Sequence, residues 1–284
     1  MTAITLSFAA LSDVGRTRSR NEDAFQLSDL STGKSVDASP ASGTLSLGDR
    51  GVLLALSDGM GGHAAGDVAS SMVLASVHST LQANGTGPAA ERLERAVRHA
   101  NEAVIAAAQT KGRHGMGATL TAVLVERGNA YVAEVGDSRA YLLRSGYLKQ
   151  LTHDQSLVQM LVDSGAIGKE EAKDSPQKNV LLQAMGAAAE VHAAIGQVAL
   201  RRDDKLLLCS DGISNAIAGA ELREILDANA PEPACARLIA LANDRGGLDN
   251  LTAVVAVFDG DGLVAPGRAE TITATFAVLK DFHP

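Results

Sequence analysis

The chain has no tryptophan, and aromatic residues make up only 3% of it. It has little to stack on nucleobases, and its formal charge of −8 opposes a phosphate backbone, which argues against nucleic-acid binding. Cysteine is equally scarce. Cys209 falls in a predicted strand and Cys235 on a predicted helix. Two such residues cannot make a disulfide framework and have no metal-ligand spacing, so both read as buried reduced thiols. No apolar stretch approaches the ~20 residues of a membrane span, and the N-terminus has no basic segment leading into an apolar signal core. These absences predict a cytoplasmic protein with no membrane contact. No repeat period indicates a solenoid.

What is present is material for a substantial core: 284 residues, 46% of them hydrophobic, enough for one large domain or two small ones. An apolar run ending in Ser-Asp-Gly occurs twice, closing on Ser57-Asp58-Gly59 and on Ser210-Asp211-Gly212. Each copy reads as a buried strand that stops at an aspartate and delivers a carboxylate to the rim of the core. Asp137 follows the alternating run 130–135, and Asp249 stands just before the apolar run 251–257. Any one of these sites alone reads as ordinary Asp-Gly turn chemistry. Together they point to carboxylates gathered around a cation, and an all-oxygen donor set selects hard ions such as Mg²⁺ or Mn²⁺.

The pattern of elements bounds the fold. A strand near 6–11 is followed by the charged segment 12–23, a second run at 24–27, and a Ser-, Gly- and Asp-rich stretch at 28–50 that reads as a long exposed hairpin connection. Helical spacing over 64–81 and again from Leu93 to Ala108, broken at 84–88, predicts a helix hairpin packed on a sheet. Residues 119–150 read as a strand meander turning at Arg127-Gly128-Asn129 and Ser145-Gly146. A partly polar helical stretch covers 156–173. Strands near 194–200, 205–209 and 252–258 then enclose helices near 221–228 and 233–243. Strands and helices are segregated, which predicts antiparallel sheets covered by helices. The tail 259–284 begins with Gly and Pro breakers and ends in the run 271–278, which reads either as an edge strand or as a loosely docked extension.

At this point the chain resembles the bacterial metal-dependent serine/threonine protein phosphatases of the type 2C class. The matching segments are 15–23, Ser57-Asp58-Gly59-Met60-Gly61-Gly62-His63, Met116-Gly117-Ala118-Thr119, Gly136-Asp137-Ser138-Arg139, Ser210-Asp211-Gly212 and Asp249-Asn250-Leu251-Thr252. They stand in the family's order from about Ser7 to Phe258. The resemblance implies an α+β fold, a four-layer αββα sandwich with two central antiparallel sheets flanked by helix pairs. It implies a catalytic domain over 1–258 and a C-terminal extension over 259–284.

It further implies two Mn²⁺ or Mg²⁺ ions, with Asp58 bridging them, Asp23 and the Gly59 carbonyl completing one position, and Asp211 and Asp249 holding the other. Asp137 with Asp211 corresponds to a third, weaker position, and Glu22 to an acid that touches metal directly or through water. Arg18 corresponds to the arginine that grips the substrate phosphate, so Asp58 and Arg18 carry the catalytic roles. The implied reaction is hydrolysis of phosphoserine and phosphothreonine by a metal-bridging water, without a phosphoenzyme. The implied partners are phosphoproteins, including a bacterial serine/threonine kinase and its targets, met by a monomer.

Two departures stand out. Met60 occupies the place where some relatives carry a histidine, which leaves protonation of the leaving group to His63 or to metal-bound water. Gln155 stands where relatives often carry a histidine after Asp154. His78 and His99 read as boundary residues of amphipathic helices. Two other functions fit the same chain: a metal-free regulatory relative of the phosphatases, and a phosphohydrolase of small esters or nucleic acid. Intact Asp23, Asp58, Asp211 and Asp249 oppose the first, and the acidic surface and motif order oppose the second.

Overall fold

The computed structural model describes residues 3–60, 65–83 and 86–283. The first half runs β1 (Thr5–Asp13), β2 (Asp23–Asp29), β3 (Ser35–Val36), β4 (Ala41–Ser46), β5 (Val52–Met60), α1 (Gly66–Ala83), α2 (Ala89–Ala108), β6 (Gly117–Ala118), β7 (Leu120–Glu126) and β8 (Asn129–Val135). Then come β9 (Arg139–Arg144), β10 (Tyr147–Gln150), α3 (Leu157–Asp163), α4 (Lys169–Lys173), β11 (Ala194–Ala199) and β12 (Lys205–Cys209). The chain closes with α5 (Asp211–Ala216), α6 (Gly219–Ala228), α7 (Pro231–Asp244), β13 (Leu251–Asp259), α8 (Ile272–Thr275) and β14 (Phe276–Lys280).

Two antiparallel sheets form the centre. One has the order β10-β9-β12-β13-β1-β4, and the other the order β14-β11-β8-β7-β5-β2-β3, with β6 paired to β5. Side chains alternate across a strand, so each strand feeds two apolar layers. In β5, Val52, Leu54 and Leu56 pack between the sheets, whereas Leu53 and Ala55 face α1 and α2. In β12, Leu206 and Leu208 join the central layer, and Leu207 and Cys209 join the layer beneath α5, α6 and α7. The result is the expected αββα sandwich. One outer layer is the α1/α2 hairpin, and the other is α6 and α7 with the short α5 beside them.

Three local expectations differ from the structure. The 119–150 meander does not stay in one sheet, because β7 and β8 belong to one and β9 and β10 to the other, with the crossover at 136–138. Alternation marks a strand's two faces and carries no label for its sheet. The stretch 28–50 is more than a loop, since β4 pairs with β1 over Thr5↔Ser46 to Ala10↔Ala41 and closes one sheet edge. In the tail the edge strand is β14 and not the whole of 271–278, because Ile272–Thr275 turn as α8 before it. β14 pairs with β11, Leu263 and Ile272 are buried in the central layer, and Phe276 packs against it. Arg201 holds Glu270 in a bidentate pair, and the buried Arg144, itself paired with Asp204, donates to the Thr275 hydroxyl at 2.8 Å.

Candidate active site

Asp23, Asp58, Asp137, Asp211 and Asp249 gather at one end of the sandwich, each delivered by a different piece of chain. Asp23 opens β2 and lies opposite Asp58 on β5 in the pairing register. β5 does not stop at its aspartate, as the sequence pattern predicts; it continues through Gly59 to Met60, because β6 pairs there with Gly59↔Ala118 and Met60↔Gly117. The second copy does end, and Asp211 becomes the first residue of α5. Asp137 occupies the crossover between the sheets, and Asp249 immediately precedes β13.

Hydrogen bonds from neighbouring polar side chains fix these acids. The Asp58 N–H donates to Thr119 Oγ1 at 2.9 Å, and the Ser57 hydroxyl donates to the Thr119 carbonyl at 2.6 Å. The Ser210 hydroxyl donates to Asp23 Oδ2 at 2.7 Å and accepts from the Thr252 N–H at 3.1 Å. Buried Asn250 ties the arginine-rich loop to the site. Its Nδ2 donates to the carbonyls of Val14 and Arg20, and its Oδ1 accepts from the Glu22 N–H. Sequence reasoning placed Thr119, Asn250 and Thr252 within matching motifs but gave them no role; the only signal was a polar residue flanking an apolar run. Arg139 was passed over in the same way, and it grips Asp154 through Nε and Nη2.

Arg18 projects from this loop with half of its side chain exposed, and its Nη2 donates to Asp249 Oδ2 at 2.8 Å. Glu22 lies just behind. Its carboxyl fills the space beside Gly66, where an added Cβ would come within 2.6 Å of it, and its carbonyl accepts from Gly59 N–H at 3.1 Å and from the Ser70 hydroxyl at 2.6 Å. His63 lies outside the described residues.

The electrostatics are those of acids forced together. Burial raises Asp58 well above the ordinary aspartate range, and the charges of Asp23, Asp211, Asp137 and Asp249 push it the same way. Asp137 is raised by burial and then by Asp211 and Asp154, against the pull of Arg139. Asp23 and Asp211 are raised for the same reasons, although Ser210 and Thr252 hydrogen bonds moderate Asp23, and contact with Asp58 moderates Asp211. Glu22 is raised by burial and by Asp67, with Arg18 and Arg20 opposing.

Among the described residues no three His, Cys, Asp or Glu side chains are already closed into an ion cage. The donors nevertheless suit a hard divalent ion. They are all oxygen, they lie within electrostatic range of one another, and Asp23 Oδ1 and Asp211 Oδ1 are buried without any hydrogen-bond partner. A positive charge placed among them would remove the repulsion that drives their protonation.

A cleft of about 730 Å³ opens from Asp137 and Asp211 between the segment holding α3 and α4 and the surface of α5, with Arg139, Ser214, Gln159 and Lys178 on its walls. It offers room for an extended ligand beside the acids.

Comparison with known proteins agrees with this architecture. The profile of the family Protein phosphatase 2C matches residues 41–256. The serine/threonine protein phosphatase PstP of Mycobacterium tuberculosis is 39% identical over 254 residues, spanning 89% of this chain but only 45% of that protein. The chain therefore spans under half the length of this relative. Protein phosphatase PhpP of Streptococcus pneumoniae is 33% identical over 251 residues, which is 87% of this chain and 95% of that protein.

Among solved structures, M. tuberculosis PstP superposes with a TM-score of 0.77 at 38% identity, covering 90% of this chain and 99% of that one. The catalytic domain of PstP in complex with two manganese ions gives 0.75 at 36% identity, with the same coverage. A family profile over most of the chain, relatives above 30% identity and a shared sandwich lead to one conclusion: this chain belongs to the protein phosphatase 2C family.

Proposed function

We propose that this chain is a metal-dependent phosphoprotein phosphatase that hydrolyses phosphoserine and phosphothreonine. The observation that carries the reading is the convergence of Asp23, Asp58, Asp211 and Asp249 from separate segments, with buried oxygens of Asp23 and Asp211 left without partners. Asp58, Asp23 and the Gly59 carbonyl would hold one Mn²⁺ or Mg²⁺, and Asp58, Asp211 and Asp249 the other. Asp137 with Asp211 would hold a third, weaker ion, and Glu22 would bind directly or through water. When bound, such ions supply a water that ionises near neutral pH and counter-charge for the phosphoryl oxygens.

The chain's own residues do the remaining work. Arg18 offers an exposed guanidinium fork, suited to paired hydrogen bonds with a phosphate. Asp249 shares that fork at 2.8 Å, so an arriving phosphate competes with an acid for the arginine. Thr119 and Ser57 fix the backbone at Asp58, and Asn250 fixes the loop that carries Arg18, so the groups facing the phosphate are held before it arrives. The open cleft accommodates a polypeptide better than it encloses a small ester.

The relative named a serine/threonine protein phosphatase supports this substrate class. Partners would be phosphoproteins, among them a bacterial serine/threonine kinase and its targets. We assign the activity to residues 1–258, with 259–284 as a strap that completes the sheet. Two buried, unpaired cysteines fit a reducing cytoplasm.

The test is Mn²⁺-dependent release of phosphate from phosphoserine and phosphothreonine peptides, compared with nucleotides and p-nitrophenyl phosphate. Loss of activity in chelator and in Asp58→Asn, with preference for the peptides, is the expected result. Turnover indifferent to chelator, or preference for nucleotides, would overturn the reading.

A further inference from the structure

Gln155 is buried, and no step proposed above uses it. Its Oε1 accepts from the Gly136 N–H at 2.7 Å and from Gln183 Nε2 at 2.9 Å, while its Nε2 donates to the Glu134 carbonyl at 3.2 Å. The main chain of the same residue adds two more ties: its N–H donates to the Gly136 carbonyl at 2.9 Å, and its carbonyl accepts from the Leu182 N–H at 2.8 Å.

These bonds join two distinct structures. Glu134 and Gly136 belong to the end of β8 and the turn that presents Asp137. Gln155, Leu182 and Gln183 are the two roots of the segment that carries α3 and α4. The roots are also paired directly, through the Ser156↔Leu181 bridge and the Leu157 N–H to Val180 carbonyl bond at 2.8 Å. Gln183 is held in turn by His192, donating to its carbonyl at 2.8 Å and accepting from its N–H at 3.1 Å.

The turn itself has little latitude on its other side. Gly136 has φ 109°, a conformation glycine favours, and a Cβ there would meet Thr119 Cγ2 at 2.7 Å. The Gly136 N–H is directed at Gln155, and removal of that acceptor would leave a buried donor unpaired and oblige the turn to move.

We propose that Gln155 is a positioning residue that sets the Asp137 carboxylate by locking the 136–137 turn to both roots of the α3/α4 segment. The proposal rests on the reading of Asp137 as the acid of a weaker cation position. Its consequence is that a substrate pressing on the α3/α4 side of the cleft acts on Asp137 through one residue.

The experiment compares Gln155→Leu and Gln155→Glu, each alone and combined with Asp137→Ala. Mn²⁺ binding is followed by calorimetry in the absence of substrate, and peptide hydrolysis is followed against Mn²⁺ concentration. Gln155→Leu keeps the volume and removes every side-chain bond, so the weakest Mn²⁺ binding event should weaken by roughly tenfold, the usual scale for residues that orient ligands. The tighter events should stay unchanged, and kcat should fall with KM for the peptide held.

Gln155→Glu keeps the acceptor for Gly136 and Gln183 but turns the bond to Glu134 into a contact between two acceptors, so it should fall between the wild type and the leucine variant. It also serves where the leucine variant fails to fold. In the Asp137→Ala background neither change should matter further. The proposal is overturned if both Gln155 variants bind Mn²⁺ like the wild type, or if their effect persists undiminished without Asp137. If Asp137→Ala itself leaves Mn²⁺ binding intact, the cation reading of Asp137 fails first and takes the proposal with it.

Discussion

Asp23→Asn should make the metal-free protein more stable above neutral pH while weakening its response to cations. Burial is the main reason that Asp23 titrates at about 7 rather than at the ordinary 3.8, with Asp211 and Asp249 adding repulsion and Ser210 and Thr252 opposing it. A carboxyl raised in the folded state holds its proton there after the unfolded chain has released it. Stability is therefore intact below 3.8, declines as pH climbs toward 7, and remains low above that.

The full difference between those two values corresponds to about 4 kcal/mol. Asp23 shares its repulsion with Asp211, so about 2 kcal/mol is a sounder expectation. In a protein of this size that corresponds to roughly 5 °C in the unfolding midpoint. Scanning calorimetry in EDTA should thus show the wild-type midpoint falling between pH 5 and pH 8, with a smaller fall in D23N. At pH 8 D23N should unfold at the higher temperature. Mn²⁺ at a hundred times its Kd should restore about 2.7 kcal/mol per occupied position, and less in total to the variant, which lacks the position that Asp23 would complete. A wild-type midpoint flat across this range in EDTA, or D23N less stable than wild type at pH 8, would refute the electrostatic argument.

Arg18→Ala should raise KM for phosphopeptides by roughly tenfold to a hundredfold, the scale of a lost charge-assisted pair. Because Arg18 also neutralises Asp249, Mn²⁺ affinity measured by calorimetry should be unchanged or slightly tighter, and its loss would show that the arginine supports the metal site instead. Gly59→Ala would drive a Cβ into the Gly66 carbonyl at the start of α1, so an expressed variant should lose several kcal/mol of stability in urea unfolding, together with its activity. Ending the chain after Phe258 removes the buried side chains of Leu263 and Ile272 and the β14 ladder. At about 2 kcal/mol for each buried aliphatic side chain, the midpoint should fall by roughly 10 °C, and an unchanged midpoint would make the strap dispensable.

The sequence alone determined the long strands and helices of the sandwich, the faces they bury, and the acids that stand at or near strand ends. Those properties are local, because a period of two or of 3.6 and a glycine after an aspartate are written into a few consecutive residues. The order of the motifs was equally legible, and with it the family resemblance. What only the tertiary structure decided is partnership between distant segments. The sequence did not say that β9 leaves the sheet of β8, that β4 closes the edge beside β1, or that β5 runs on past Asp58 because β6 lies against it. Nor did it reveal that Arg18 shares Asp249, that Ser210 holds Asp23, or that one buried glutamine joins the Asp137 turn to the roots of the α3/α4 segment. Each of these is a contact between residues far apart in the chain. Its existence depends on register and packing across the whole sandwich, and no local pattern encodes it.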